Sequence, residues 1–134
     1  MVLDDISPEF ERFELKQTAK ERVAKFNEEK IARMMEYIKS HDKLILYGTG
    51  NDCKGMLALM SEDLRKRMLY SDKKAGAHPY VFEGKEVFVP EELCGTYKEY
   101  NILVTSSRYG RSIGHEFEAM GISPERVYYN EIGF

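Results

Sequence analysis

The sequence predicts an α/β fold: an open, mostly parallel sheet of about four to five strands, flanked by helices and preceded by a long N-terminal helical extension. Short apolar runs alternate with helical segments from residue 43 onward, as is typical of parallel sheets. The run Leu44–Tyr47 is apolar at every position, which predicts a strand buried on both faces. A glycine-rich turn follows this strand directly, and a helical segment follows the turn.

Composition excludes several classes of protein. The chain has 134 residues, of which 43% are hydrophobic, enough for one domain with a real core. The net charge of -3 argues against a nucleic-acid partner. The two cysteines lack CxxC spacing and the three histidines are scattered, so we expect no metal site and a cytoplasmic location. An acidic amino terminus and the lack of any apolar run of about 18 residues predict no membrane insertion.

Residues 1–42 are assigned to the helical extension and residues 43–134 to the α/β domain. Ser7 followed by Pro8 suits a helix start. Two apolar stripes at helical spacing follow: Leu15, Ala19, Val23 and Phe26, and then Ile31, Met34, Met35 and Ile38. The second stripe is expected to cap the core. The first either caps the core or docks on another copy or a partner protein, so a homo-oligomer is one expectation.

The remaining elements follow in chain order. Residues 52–60 predict a helix, and residues 68–71 a short second strand. Apolar segments on either side of Glu83 and Gly84 predict a hairpin, and Pro90 opens a short helix. Residues 101–106 predict a buried strand, residues 111–120 a helix that Gly121 ends, and residues 126–129 a last strand before the tail.

The glycine turn partly matches a phosphate-binding loop. In dinucleotide folds the first strand leads into G-x-G-x-x-G, and the next helix directs free N–H groups at an anion. Gly48 and Gly50 occupy the first two glycine positions, but Cys53 occupies the third. Asp72 follows Gly50 by about 20 residues at a strand end, where an acid can bond a ribose. Asp52 places a negative charge where a pyrophosphate would lie.

A second polar loop follows the strand at residues 101–106. Ser106, Ser107 and Arg108 could donate hydrogen bonds to a phosphate or carboxylate, together with Arg111 and Ser112 at the next helix start. This loop should lie beside the glycine loop, because the carboxyl ends of parallel strands share one edge of the sheet. The alternative is a polar loop with ordinary helix capping.

Four runs of sequence carry a family resemblance: "ILYGTGNDCKG", "LYSDKK", "FEGKEVFVPEEL" and "YNILVTSSRYGRSIGHEFEAMGISPERV". In this order they resemble the small Rossmann-like nucleotide-binding domains of bacterial nucleotide-sugar dehydratases, epimerases and sugar acetyltransferases. The resemblance covers residues 43–129. It implies that Gly48, Gly50 and Asp72 surround a nucleotide or nucleotide-sugar, in sugar or surface-polysaccharide metabolism. In such proteins a second domain usually holds the chemistry, and an acid inside the glycine loop is common.

The expected ligand is therefore a nucleotide, with a nucleotide-sugar and NAD(P) both left open. The predicted contact residues are Gly48, Thr49, Gly50, Asn51, Asp52, Cys53, Asp72, Ser106, Ser107, Arg108 and Arg111. No acid/base pair indicates catalysis by this chain alone, and Cys53 is interpreted as a packing residue rather than a nucleophile. Two alternatives remain: a non-catalytic assembly or sensory subunit with a vestigial pocket, and an NAD-dependent oxidoreductase or epimerase component.

Overall fold

The computed structural model describes residues 26–134. The predicted helix start at Ser7 and Pro8 and most of the first apolar stripe therefore lie outside the described residues. The chain divides at Arg33 into two compact units. In the first, residues 26–33 are helical, and the Lys30 ammonium lies 4.3 Å from the centre of the Phe26 ring.

The second unit, Met34–Phe134, opens with helix α1, residues 34–40. Two members of the second apolar stripe are buried here: Met34 is 1% exposed and Ile38 is 0% exposed. Both belong to a core that also contains strand residues. The expectation that this stripe caps the core is confirmed for Met34 and Ile38, so residues 34–40 pack as part of the α/β unit.

Six strands follow, namely β1 Leu44–Tyr47, β2 Leu69–Ser71, β3 Val81–Phe82, β4 Lys85–Glu86, β5 Asn101–Val104 and β6 Val127–Tyr129. Four of them form a parallel sheet in the order β2-β1-β5-β6. In its centre Leu46 pairs with Tyr70 on one side and with Leu103 on the other. Strands β3 and β4 form the predicted antiparallel hairpin around Glu83 and Gly84. The predicted α/β class, with a mostly parallel sheet, is confirmed.

The longer helices of this unit after α1 are α2 Asn51–Ala58, α3 Glu62–Arg67 and α4 Gly110–Ala119. Short 3₁₀ segments cover Lys73–Gly76, Pro90–Leu93 and Pro124–Arg126. Helix α3 was not predicted, although its signals are present. The Ser61 hydroxyl accepts a hydrogen bond from the Leu64 N–H at 3.3 Å, and acidic residues in the first turn precede basic residues in the last. Within residues 26–134, no helix is long and apolar enough to cross a bilayer.

The sheet separates two apolar cores. Leu44 and Leu46 face the core that contains buried residues of α1, α2 and α3. Ile45 and Tyr47 face the second core, which contains Phe117 of α4. Strand β1 is thus buried on both faces, as its continuous apolar run predicts, because side chains alternate across a strand.

Helix α4 ends where the sequence predicts. Gly121 has φ +80°, a left-handed conformation that favours glycine. The Gly121 N–H donates to the Glu118 carbonyl, and the Ile122 N–H donates to the Phe117 carbonyl, each at 3.0 Å. This is a Schellman motif, and Ile122 packs in the same core as Phe117. The chain is thereby turned from α4 toward β6.

The order of the strands creates a crevice. From β1 the chain proceeds to β2 on one side, and then crosses to β5 on the other side of β1. The loops that leave the carboxyl ends of β1 and β5 therefore diverge, and a ligand can enter between them. The glycine loop follows β1, and the serine-rich loop follows β5.

Candidate ligand-binding site

A cleft of about 720 Å³ opens at the carboxyl ends of β1 and β5. Most of the predicted contact residues line it, namely Gly48, Thr49, Gly50, Asn51, Asp52, Asp72, Ser106, Ser107 and Arg108. Two others lie outside its lining. Cys53 is fully buried in the core under α2, and Arg111 is exposed on α4. The fold thus brings together the two loops that the sequence singles out.

The two glycines that match the loop pattern have different roles. Gly48 has φ +104°, and a Cβ there would lie 2.7 Å from the Thr105 hydroxyl oxygen. Gly50 has extended backbone angles at the N-cap of α2, and a Cβ there would meet nothing within 4 Å. The backbone therefore requires glycine at 48, whereas glycine at 50 keeps the cleft open.

The Asp72 carboxylate holds the glycine loop in place. It is 9% exposed, and its Oδ2 accepts hydrogen bonds from the Thr49 N–H at 3.0 Å and the Thr49 hydroxyl at 3.2 Å. Its Oδ1 accepts from the Lys74 N–H at 3.0 Å. The Thr49 oxygen also lies 2.6 Å from the Tyr80 hydroxyl, which donates to it when Thr49 donates to Asp72. Three of roughly four acceptor positions of Asp72 are thus in use, and about one remains for a ligand hydroxyl.

Asp52 joins α2 to two other segments. Its Oδ2 accepts from the Ser107 N–H at 2.8 Å and the Ser107 hydroxyl at 2.9 Å, and its Oδ1 accepts from the Phe134 N–H at 2.9 Å. Burial raises the pKa of Asp52, but these hydrogen bonds outweigh burial and hold the pKa below its ordinary value. Both donor groups of Ser107 are engaged here, so Ser107 lines the cleft with its donors already used.

The tail after β6 is folded against this site. Asn130 is 3% exposed, and its amide N–H groups donate to the Thr105 and Ile132 carbonyls at 2.8 Å. Its oxygen accepts from the Ile132 N–H at 2.9 Å. Further along, Phe134 packs so closely on α2 that a Cβ at Gly55 would overlap its side chain. Gly55 lies two positions after the third glycine position of the loop motif, and the Phe134 ring packs directly against it.

Cys53 has the environment of a packing residue. It is 0% exposed, and burial, with smaller contributions from nearby carboxylates, raises its pKa to about 12. A thiol with this pKa stays protonated at neutral pH and is a poor nucleophile. The structure therefore favours the packing interpretation of Cys53.

Cationic groups lie around the cleft. Lys73 forms an ion pair with Glu116 of α4 at 3.1 Å. Lys74 and Arg108 have exposed side chains and no ion pair with any residue in the described range 26–134. These two are the charges available to an anionic ligand group. In the same range no three His, Cys, Asp or Glu residues cluster as metal ligands would.

Ser112, at the start of α4, lines the cleft as the sequence suggested. Sequence reasoning missed several other lining residues: Tyr47, Lys73, Lys74, Thr105, Tyr109, Ile113, Glu116 and Phe134. Lys73 and Lys74 follow Asp72 directly, so their position after β2 was a usable signal. Tyr47 is the last residue of an apolar strand, and Phe134 reaches the cleft because the tail packs against α2. Nothing local in the sequence distinguishes these two from core residues.

No protein-family model matches the chain. Neither a curated protein nor a solved structure matches it. The function of this α/β protein is therefore inferred from its cleft.

Proposed function

We propose that the cleft binds a nucleotide or nucleotide-sugar, and that the α/β unit is a Rossmann-like domain acting in sugar or surface-polysaccharide metabolism. One observation carries the proposal: a glycine loop and a helix N-terminus meet the cleft where the strand order reverses. Ligands of open α/β sheets bind at this place. The volume of about 720 Å³ lies within the range usual for small-molecule sites.

The charges around the cleft support one orientation of the ligand. Asp52 lies in the first turn of α2, and its negative charge opposes the attraction of the helix N-terminus for a phosphate. Lys74 and Arg108 are cations free to pair with phosphate oxygens. The remaining acceptor position of Asp72 suits a ribose hydroxyl. This arrangement favours a nucleotide-sugar over an NAD(P) molecule whose pyrophosphate would lie on α2.

The chain contributes binding rather than a complete catalytic set in this proposal. Its buried thiol at Cys53 is protonated, and the Asp52 and Asp72 carboxylates are held by internal hydrogen bonds. Catalytic groups then come from a partner. We propose that the N-terminal extension, which the sequence predicts to be helical, is the docking element for a partner or a second copy.

A non-catalytic assembly or sensory subunit is the second candidate. The observation that favours it is the set of hydrogen bonds from Ser107 and Phe134 to Asp52, because donors facing the cleft are satisfied by the protein itself. In that case the pocket is inherited and the docking surface carries the function. An NAD-dependent oxidoreductase or epimerase component has no such observation in its favour.

A ligand panel with two matched variants tests the proposal. Thermal shift followed by calorimetry would use NAD, NADP, coenzyme A, S-adenosylmethionine, and UDP- and dTDP-sugars. Gly50→Val places a side chain in the cleft, and Gly95→Val makes the same change where the nearest atom is the Glu91 carbonyl oxygen at 3.9 Å. We expect a shift with nucleotide-sugars that Gly50→Val abolishes and Gly95→Val retains.

Two results would count against the proposal. A wild-type protein that shifts with none of these nucleotides would reject nucleotide binding and leave the assembly subunit. A shift that survives in Gly50→Val would show that the nucleotide binds elsewhere on the protein.

A further inference from the structure

The Tyr47 hydroxyl makes no hydrogen bond to any residue in the described range 26–134. Tyr47 lines the cleft and is only 4% exposed. Its ring packs edge-on against the Phe117 ring, with 4.9 Å between the two ring centres. Within residues 26–134, every fully enclosed side-chain nitrogen or oxygen has a hydrogen-bond partner. The Tyr47 hydroxyl makes no hydrogen bond in this range, so it is not fully enclosed and its accessible side is the cleft. A hydroxyl placed this deep, with no partner in the described range and open only toward the cleft, is a group to which a ligand can supply a hydrogen bond.

The surroundings keep this phenol protonated. Burial raises the pKa of Tyr47 well above its ordinary value, and the negative charges of Glu116, Asp72 and Glu91 raise it further. The hydroxyl is therefore a hydrogen-bond donor and acceptor at all physiological pH values. It stands on the floor of the cleft, at the end of β1.

Glu116 and Lys73 line the same cleft as Tyr47. Their ion pair is exposed, with side-chain exposures of 42% and 74%, so a ligand can replace or share it at little cost. One Glu116 oxygen accepts from Lys73 at 3.1 Å, and the carboxylate keeps about three further acceptor positions. A carboxylate accepts from two neighbouring hydroxyls, whereas it repels a phosphate.

We propose that Tyr47, Lys73 and Glu116 form a subsite for the sugar part of the ligand. Sugar hydroxyls both donate and accept hydrogen bonds, and they match a phenol, an ammonium group and a carboxylate that line the same cleft. The phosphates of the same ligand then lie toward Arg108 and Lys74. This inference rests on the proposed function, which it extends by naming the groups that recognise the sugar.

The test removes one oxygen atom. Tyr47→Phe keeps the ring against Phe117, and it breaks no hydrogen bond among the described residues 26–134. Tyr80→Phe is the matched control, because the Tyr80 hydroxyl bonds Thr49 inside the protein. Full-length wild type and variants would be titrated by calorimetry and saturation-transfer NMR with UDP, UDP-glucose, UDP-galactose and UDP-N-acetylglucosamine, and with the three free sugars.

We expect Tyr47→Phe to weaken binding of at least one UDP-sugar by roughly fivefold to tenfold, the worth of one hydrogen bond. The affinity for UDP should change by less than about twofold, since UDP has no sugar beyond its ribose. Tyr47→Phe should also leave the melting temperature unchanged, whereas Tyr80→Phe should lower it.

Each contrary result has a distinct meaning. Equal losses for UDP and its sugars place Tyr47 against the nucleotide and overturn the sugar subsite, while nucleotide binding stands. Undiminished affinity for every UDP-sugar overturns the subsite as well. If UDP does not bind but a free sugar binds through Tyr47, the subsite stands and nucleotide binding fails. Binding of no probe overturns both, and a lowered melting temperature in Tyr47→Phe shows an internal partner for the hydroxyl and overturns the subsite.

Discussion

Replacing Asp52 with asparagine tests the contact that joins α2 to the serine loop and to the tail. The wild-type carboxylate accepts three hydrogen bonds, two from Ser107 and one from the Phe134 N–H. An amide keeps one acceptor oxygen and turns the other into a donor. Either the Ser107 groups or the Phe134 N–H then face another donor, and one of the two links is lost.

The size of the effect follows from the exposure of the site. Hydrogen bonds to charged groups are worth about 1.5–3 kcal/mol, and Asp52 is half-buried, so the lower end applies. We expect Asp52→Asn to cost about 1–2 kcal/mol of unfolding free energy, roughly 5 °C in Tm for a chain of this size. Asp63→Asn is the control. It also removes one acid from the first turn of a helix, α3, and the Asp63 side chain makes no hydrogen bond within residues 26–134.

The pH dependence provides the decisive measurement. The pKa of Asp52 is lower in the folded protein than its ordinary value of 3.8. The contribution of the Asp52 carboxylate to folding stability is therefore complete above the unfolded-state pKa, and it is lost as pH falls through the folded-state pKa. Urea unfolding followed by circular dichroism should show the same difference in unfolding free energy between wild type and Asp52→Asn at pH 7 and at pH 5. This difference should narrow below pH 3.8. Equal losses of unfolding free energy in Asp52→Asn and Asp63→Asn at pH 7 would refute the reasoning. So would a difference between wild type and Asp52→Asn that stays unchanged at low pH.

Three further outcomes are expected. Gly48→Ala should lower the unfolding free energy measured with urea by about 3 kcal/mol, because a side chain at this positive φ is strained and meets the Thr105 hydroxyl. A loss below about 1 kcal/mol would contradict the proposed strain. In the native protein at pH 8, Ellman's reagent should modify the exposed Cys94 rapidly and Cys53 only upon unfolding, and two fast thiols would show that Cys53 is accessible. Deleting residues 1–26 should leave the far-UV spectrum of the α/β unit intact but lower the oligomer mass in light scattering, and an unchanged mass would reject the docking role.

The parts of the fold that the sequence predicts are those encoded by local patterns. Strands β1 and β5 are continuous apolar runs, and α4 ends at a glycine that takes the left-handed conformation. Helix α3 is short and mostly polar, with Leu64 as its only buried residue, so periodicity could not reveal it. Its available signals were the Ser61 cap and the order of acidic and basic residues along the helix.

The lining of the candidate cleft was predictable where it follows strand ends and unpredictable where distant segments meet. The glycine loop, Asp72 and the serine loop were found because parallel strands bring their carboxyl ends to one edge. The internal partners of Asp52 were not foreseen, because Ser107 and Phe134 reach it only through the folded chain. Cys53 was placed in the site by its position in the motif, but the helical turn directs it into the core.

The position of the tail depends on the side-chain amide of Asn130, a group that can deamidate. Asparagine is among the residues that heat damages, and its deamidation leaves a carboxylate. The Asn130 amide donates to two carbonyl oxygens. A carboxylate in its place would keep the hydrogen bond from the Ile132 N–H but would turn a buried, negatively charged oxygen toward both carbonyl oxygens. Such a change at this one position would weaken the attachment of the segment that carries Phe134 to the cleft, so the tail depends on the covalent state of a single side chain as well as on packing.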